Sequence, residues 1–385
     1  MAAMLWDIFC RVIDNFGDIG VCWRLSADLC ARGHQVRLWI DDASALNWMA
    51  PAPRAVEVLD WQQAELSPPP PGDVVLEAFG CHLPETFVAG MQRAQPPVWI
   101  NLEYLSAEDY VERSHRLQSP VWNGAGAGLK KWFFYPGFTQ RTGGLLREPG
   151  LLARRDAFQQ DAQARVDWLR NLGVSGPALL SDSTQGHRPV SVFCYDSAPL
   201  ATWLNQLAQV SPLGDHKGTT LLLTPGPATR LARRWASERG GCSDHLVLHE
   251  LPHLSQVEFD YLLWSCDLNL VRGEDSAVRA LWAGRPHIWQ IYEQDDGVHA
   301  DKLKAFMQQW MANWRPELTQ KVASAWRTWN LLSSDSSPLS DLWSLAHSQS
   351  DWLKACQESG QKLASQGDLT TQLLEFALEF GTHPG

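Results

Sequence analysis

The stretch "LWDIFCRVIDNFGDIGVCWRLSADLCARGHQVRLWI", residues 5–40, most restricts what this chain can become. It opens on a buried strand, passes a loop holding Asp14 and Asp18 around an Asn-Phe-Gly turn, and continues as an amphipathic helix from about Ile19 to Arg32. Gly33 follows as the C-cap, and "QVRLWI" is the next strand. Strand, helix and strand at this spacing are the grammar of a parallel sheet, whose ligand loops lie at the carboxyl ends of its strands.

The series continues through "DVVLEAF" and "PPVWINLEYL", with "SPPPPG" at 67–72 expected as a surface connection. A second series follows a charged helical stretch near 151–173 and the loop "VSGPALLSDSTQGHRP". Its strands are "VSVFCY", "TTLLLTPG" and "HLVLHELPHL", with "PLATWLNQLAQV" and "ATRLARRWASERG" as helices between them. From about residue 300 the pattern is mostly helical. At 385 residues the chain exceeds one comfortable core. The expectation is therefore an α/β chain of two doubly wound, Rossmann-like domains facing across a cleft. The first covers 1–173, with a terminal helix at about 360–385 packing back on it, and the second covers 174–359.

Charge and cysteine usage exclude several classes. A net charge of -11 argues against a general nucleic-acid or anionic-membrane surface and leaves room for a local basic pocket. Eight cysteines stand singly with no CxxC pair, which reads as reduced thiols of a cytoplasmic protein. No apolar run approaches the roughly 18 residues of a membrane span, Asp7 interrupts the short apolar start, and no basic leader precedes it. Trp203, Trp264, Trp282, Trp310 and Trp326, among the twenty tryptophans, fall in helix-like stretches and are expected in the core.

"NLVRGEDSAVRALWAGRP" is the most informative local pattern: a strand ending near Val271, then Arg272-Gly273-Glu274-Asp275-Ser276 leading into a helix. A helix N-terminus offers unpaired N–H groups and a positive dipole end to a phosphate. Ser276 can cap the helix and bond a phosphate oxygen, Arg272 adds a charged fork, and Gly273 permits a close backbone approach. Glu274 and Asp275 suit a sugar hydroxyl. The plainer reading is that Asp and Ser here are ordinary caps. The same pair of readings applies to Asp14 and Asp18: caps of the helix near Ile19, or carboxylates that take a proton from an acceptor while a leaving diphosphate is stabilised elsewhere in the site. "FCYD" at 193–196 ends a strand, so Tyr195 either touches ligand or packs. "GAGAG" at 124–128 follows no clear strand and reads as a flexible loop. Asp295, Asp296, His299 and Asp301 read as an acidic helix start rather than a metal set, and no DxD motif is present.

Several long motifs in order resemble one family, the elongation factor P arginine rhamnosyltransferases called EarP. They are "IFCRVIDNFGDIGVCWRLSADL", "LWIDD", "NLEYLSAEDYVERSH", "FFYPGFTQRTGGLL", "CDLNLVRGEDSAVRALWAGRPHIWQIY" and "HADKLKAF", and together they cover essentially the whole chain. The resemblance implies a GT-B glycosyltransferase architecture. It implies dTDP-β-L-rhamnose as donor, an arginine of translation elongation factor P as acceptor, and inversion at the anomeric carbon, with no metal or other cofactor. It places the general base on Asp18 and a second required carboxylate on Asp14. It assigns Arg272, Glu274, Asp275 and Ser276 to the nucleotide diphosphate, and Phe193, Tyr195 and Tyr292 to the donor site. Glu274 stands as a further catalytic candidate. Gly273 and the turn residues Asn15, Phe16 and Gly17 are assigned to the donor site with them.

One departure concerns the segment "LPHLSQ", where the family often carries phenylalanine after the proline and this chain has His253. Gln256 is retained and can bond the base edge, while His253 is left to stack on thymine. A guanidinium has a pKa above about 12 and is a poor nucleophile. Two carboxylates at a turn suit it, holding it by forked hydrogen bonds and taking its proton. Two rival readings use the same features. One is a GT-B transferase acting on a glycan or lipid acceptor, which calls for an apolar or basic patch in place of the aspartates. The other is a nucleotide-sugar-binding regulator, which has no use for Asp18.

Overall fold

The computed structural model describes residues 3–12, 16–50, 55–180, 186–209, 217–239, 241, 245–293, 297–337, 339, 342 and 350–381. Asp14, Asn15, Asp295 and Asp296 lie outside the described residues. The chain divides into two units, Met1–Pro149 with Leu363–Gly385, and Gly150–Lys362.

The first unit is built on a seven-stranded sheet: β1 (Leu5–Cys10), β2 (Gln35–Ile40), β3 (Glu57–Asp60), β4 (Val74–Ala78), β5 (Val98–Leu102), β6 (Gln118–Pro120) and β7 (Lys130–Phe134). The spatial order is β3-β2-β1-β4-β5-β7-β6, parallel throughout except where β6 meets β7. The order reverses between β1 and β4, and the loop with the paired aspartates leaves β1 at that switch point. Trp6, Ile8 and Cys10 face one buried layer, shared with Ile19, Cys22, Leu25 and Leu29 of the helix Gly17–Ala31, while Phe9 faces the other. The helix Leu369–Phe380 adds Leu369, Leu373 and Phe376 to the first of these layers.

Asp7 interrupts the apolar run for a structural reason. It is fully buried, and its two oxygens accept from Arg37 Nε and Nη2, Trp39 Nε1 and the Gly72 N–H at 2.6–2.7 Å. The close approach at Gly72 needs glycine, since a Cβ there would sit 2.4 Å from the Leu5 carbonyl oxygen. The connection "SPPPPG" is exposed or half-buried over 67–70 as expected, and only its last two residues are buried, where the Pro71 and Gly72 carbonyls accept from Arg93. "GAGAG" is a loop, as expected, with hydrogen bonds to its backbone. The Ala125 N–H donates to Glu85 at 2.9 Å, and Gln92 Nε2 donates to the Ala125 and Ala127 carbonyls.

The second unit carries a five-stranded, wholly parallel sheet: β8 (His187–Val192), β9 (Gly218–Leu223), β10 (Leu246–Glu250), β11 (Leu268–Arg272) and β12 (His287–Gln290). Its order is β10-β9-β8-β11-β12, so its switch point falls between β8 and β11. The five tryptophans expected in the core are all buried here. The boundary at 173 is corrected to 149, because the helices Leu151–Gln160 and Ala162–Asn171 pack in the second unit. Phe158 meets the Tyr261 ring edge-on at 4.8 Å, Leu169 is buried with Leu222 and Leu251, and Arg155 Nη1 donates to the Trp282 carbonyl at 2.7 Å.

Candidate functional site

In the second unit, Phe193, Cys194 and Tyr195 follow directly on β8, and Arg272 ends β11 beside it, with Gly273 next in the chain. Sheet order, rather than nearness in sequence, brings the "FCY" and "RGEDS" motifs together. Arg272 is 8% exposed, and its guanidinium lies 4.6 Å from the centroids of both the Phe193 and the Tyr195 rings. The aromatic contacts extend outward, with Tyr292 edge-on to Tyr195 at 5.6 Å and Phe259 edge-on to Phe193 at 5.6 Å. A cation fixed on two rings keeps its N–H fork directed, as recognition of a diphosphate requires.

The helix Glu274–Ala283 starts directly after Gly273. Its N-cap is Gly273 at φ 67, ψ -179, a conformation essentially reserved to glycine, and no side chain caps it. The plain cap reading of Asp275 and Ser276 is therefore corrected: both lie inside the first turn. The Ser276 hydroxyl donates to the Arg272 carbonyl one turn back, and the Ser276 backbone N–H lies in the first turn, where helix N–H groups can meet an anion. Glu274 is half-buried, and its Oε1 accepts from Lys302 Nζ at 2.7 Å.

Three partners of this loop escaped the sequence reading. Gln290 accepts the Tyr195 N–H at 2.8 Å, fixing the turn after β8. Lys302 neutralises Glu274, and it stands in "HADKLKAF". Arg279 forms a buried fork with Asp260 at 2.6–2.7 Å, tying this helix to the helix Gln256–Ser265. A single arginine in the apolar run "AVRALWAG" was the available signal.

Gln256 is 8% exposed and begins its helix behind a complete capping box of Ser255 and Glu258. His253 is exposed on the loop after β10. If it carries the base stack, His253→Phe should retain or tighten dTDP affinity and His253→Ala should weaken it about tenfold, the scale of one base–side-chain stack. Equal affinity in all three proteins, measured by tryptophan fluorescence titration, places the thymine elsewhere.

In the first unit, Asp18 is 3% exposed and is the second residue of the helix Gly17–Ala31. The N-cap is Phe16, without a side-chain cap, so Asp18 is not the cap that its position suggested. A carboxylate in the first turn instead sits in the positive end of the helix dipole. Asp18 and Asp41 both act on the Cys10 thiol at the end of β1. That thiol is held well above its ordinary value by its hydrogen bond with Cys22 and by burial, and the two aspartate charges push the same way. Asp41, from "LWIDD", also accepts the Val12 N–H at 3.0 Å and so anchors the start of the aspartate loop. Phe16 packs edge-on against Trp48 at 5.0 Å, a packing contact for a residue assigned to the donor, and Gly17 opens the helix beside it. His299 and Asp301 are on the helix Val298–Trp310, and the described residues contain no group of three or more potential metal ligands. No helix among the described residues is long and apolar enough to cross a membrane.

The family model of the Elongation-Factor P (EF-P) rhamnosyltransferase EarP matches residues 6–378. A protein-arginine rhamnosyltransferase of Pseudomonas putida is 42% identical, the alignment covering 96% of this chain and 98% of that one. Its counterpart in Pseudomonas aeruginosa is 39% identical over the same shares. A solved structure concerning EarP-mediated arginine glycosylation of translation elongation factor EF-P superposes with a TM-score of 0.67 at 32% identity, covering 98% of this chain and 99% of that one. The spinosyn rhamnosyltransferase SpnG, at 11% identity and a TM-score of 0.54 over 98% of this chain and all of that one, shares the fold. That fold is the GT-B class of glycosyltransferases, with two parallel-sheet α/β domains. This chain belongs to the EarP family of protein-arginine rhamnosyltransferases.

Proposed function

We propose that this protein transfers L-rhamnose from dTDP-β-L-rhamnose to one arginine side chain of translation elongation factor P, inverting the anomeric carbon and using no metal. The observation that carries the donor half is Arg272, stacked on Phe193 and Tyr195 at the mouth of a ten-residue helix. A fixed cation and a helix N-terminus together supply the positive charge that a metal gives other transferases. Gly273 brings the backbone close to the diphosphate, and Glu274 and Asp275 meet sugar hydroxyls. Tyr292 and Tyr195 line the sugar side, with Gln256 and His253 at the base.

The acceptor half rests on Asp18, with Asp14 as its partner. A guanidinium nitrogen attacks the anomeric carbon from the face opposite the diphosphate. The C–N bond forms as the C–O bond to dTDP breaks, and the proton leaving the guanidinium passes to the Asp18 carboxylate. The departing dTDP keeps the bonding electron pair, against Arg272 and the helix start.

The test is intact-mass analysis of purified elongation factor P after incubation with this protein and dTDP-rhamnose in EDTA, with the anomeric configuration read by NMR. One added deoxyhexose per acceptor, α-linked to arginine, is the expected result. Arg272→Ala should lose saturable quenching of tryptophan fluorescence by dTDP. Undiminished binding by that variant, or a requirement for magnesium, would sink the donor assignment.

A further inference from the structure

The carboxyl ends of β4 and β5 carry an aromatic feature that the donor and base assignments leave unused. Phe79 directly follows β4 with φ at +57, a left-handed backbone that is a true outlier for a bulky side chain. Its backbone stays attached to the sheet, the N–H donating to the Leu102 carbonyl at 2.7 Å. The unusual backbone changes where the ring goes. On β4, Leu76 and Ala78 face the layer that holds the helix Gly17–Ala31, while Val75 faces the opposite layer. Simple alternation would send Phe79 to the Val75 side. Instead Phe79 packs against the layer of Leu76, Ala78 and Ile19. There it stacks on Tyr104, two residues beyond Leu102 at the end of β5, with centroids 4.5 Å apart and planes within 16°.

The placement is specific. β1 and β4 are neighbours, so the loop leading to Asp18 and the turn carrying Phe79 leave adjacent strands at the same end of the sheet. Phe16, on the Asp18 side of that loop, packs against the same buried layer as Phe79. Tyr104 is 37% exposed, so the stack reaches solvent at this edge. A strained backbone that turns a ring out of its natural alternation, on the strand next to the one from which the loop to Asp18 leaves, is the kind of outlier that points to function.

We propose that the Phe79–Tyr104 stack is the platform on which the acceptor's arginine lies, its flat guanidinium against a ring face and its edge toward Asp18. A planar cation is matched by a ring face on one side and a carboxylate at its edge, whereas an ammonium lacks the plane to stack. The platform would thus select arginine over lysine. The proposal rests on the arginine-transfer reading and adds to it the residues that bind the acceptor.

The test compares Tyr104→Leu, Tyr104→Phe and Phe79→Gly with the wild type. Acceptor KM and kcat are measured with elongation factor P at saturating dTDP-rhamnose, and donor affinity by fluorescence. Leucine preserves bulk and removes the π face, phenylalanine keeps it, and glycine removes the ring while accepting the left-handed backbone. Tyr104→Leu and Phe79→Gly should raise acceptor KM about tenfold, the scale of one well-placed cation–ring contact, with donor affinity unchanged. Tyr104→Phe should behave as wild type, and the rise in acceptor KM without a change in kcat or donor affinity is the split that a merely structural role of the stack would not produce. An active wild type with an unaltered acceptor KM in Tyr104→Leu would overturn the platform alone, and so would a parallel fall in donor affinity. A wild type that does not modify elongation factor P overturns the transfer reading, and the platform with it.

Discussion

Asp18→Asn should lower rhamnosyl transfer by about a hundred- to ten-thousandfold, the contribution of a positioned general base, while dTDP-rhamnose affinity stays near the wild-type value. Asparagine fills the same buried space at the second position of the helix Gly17–Ala31. It loses the negative charge and the ability to take a proton from a guanidinium whose pKa exceeds about 12. The cost to folding should be modest, up to about 2 kcal/mol for a buried charge removed from a helix N-terminus. Donor affinity should hold because the proposed donor contacts all come from the second unit, apart from the turn at 15–17. The measurements are rhamnosyl-arginine by mass spectrometry, donor titration by fluorescence and a thermal melt. Normal turnover would move the base elsewhere, and Glu274 is a poor substitute with one oxygen held by Lys302. Loss of donor affinity or of the fold would make the aspartate loop structural.

Much of this arrangement was legible in the residues, for identifiable reasons. Strand–loop–helix alternation puts the aspartate loop at the carboxyl end of β1 and the RGEDS loop at the carboxyl end of β11, and both sheets realise it. Local pattern could not decide whether Asp18, Asp275 and Ser276 were caps. Acidic and hydroxyl residues are favoured both at the cap and within the first turn, so only the backbone geometry at Phe16 and Gly273 separates the two. The stacking of Arg272 on Phe193 and Tyr195 was hidden because it follows from β8 and β11 being neighbours, a fact of sheet order. The boundary at 149 was hidden because an amphipathic helix does not name the layer it packs on; the contact of Phe158 with Tyr261 does. Asp7, read as a break in an apolar strand, is a buried carboxylate with four donors converging from distant segments.

Arg279→Met should be among the most destabilising substitutions in the second unit, and its partner variant should reverse most of the loss. Arg279 and Asp260 are 2% and 4% exposed and meet as a fork at 2.6–2.7 Å. Removing the cation leaves a carboxylate buried without its fork, a cost of about 3–5 kcal/mol. For a unit of this size that lowers the melting midpoint by roughly 10 °C. Replacing both residues, as Arg279→Met with Asp260→Leu, removes the stranded charge and should recover most of the stability, since well-packed apolar substitutes for a buried ion pair are often neutral. Function should separate the two cases. The pair ties the helix Glu274–Ala283, which begins at the proposed diphosphate loop, to the helix Gln256–Ser265, which begins at Gln256, proposed to meet the base. If the fork serves only stability, the double variant regains both melting temperature and dTDP affinity. If its directed geometry also sets the spacing of those two helix starts, the double variant melts like wild type yet binds dTDP more weakly. A single variant as stable as wild type would show that the carboxylate finds other partners, and the pair would then carry neither role.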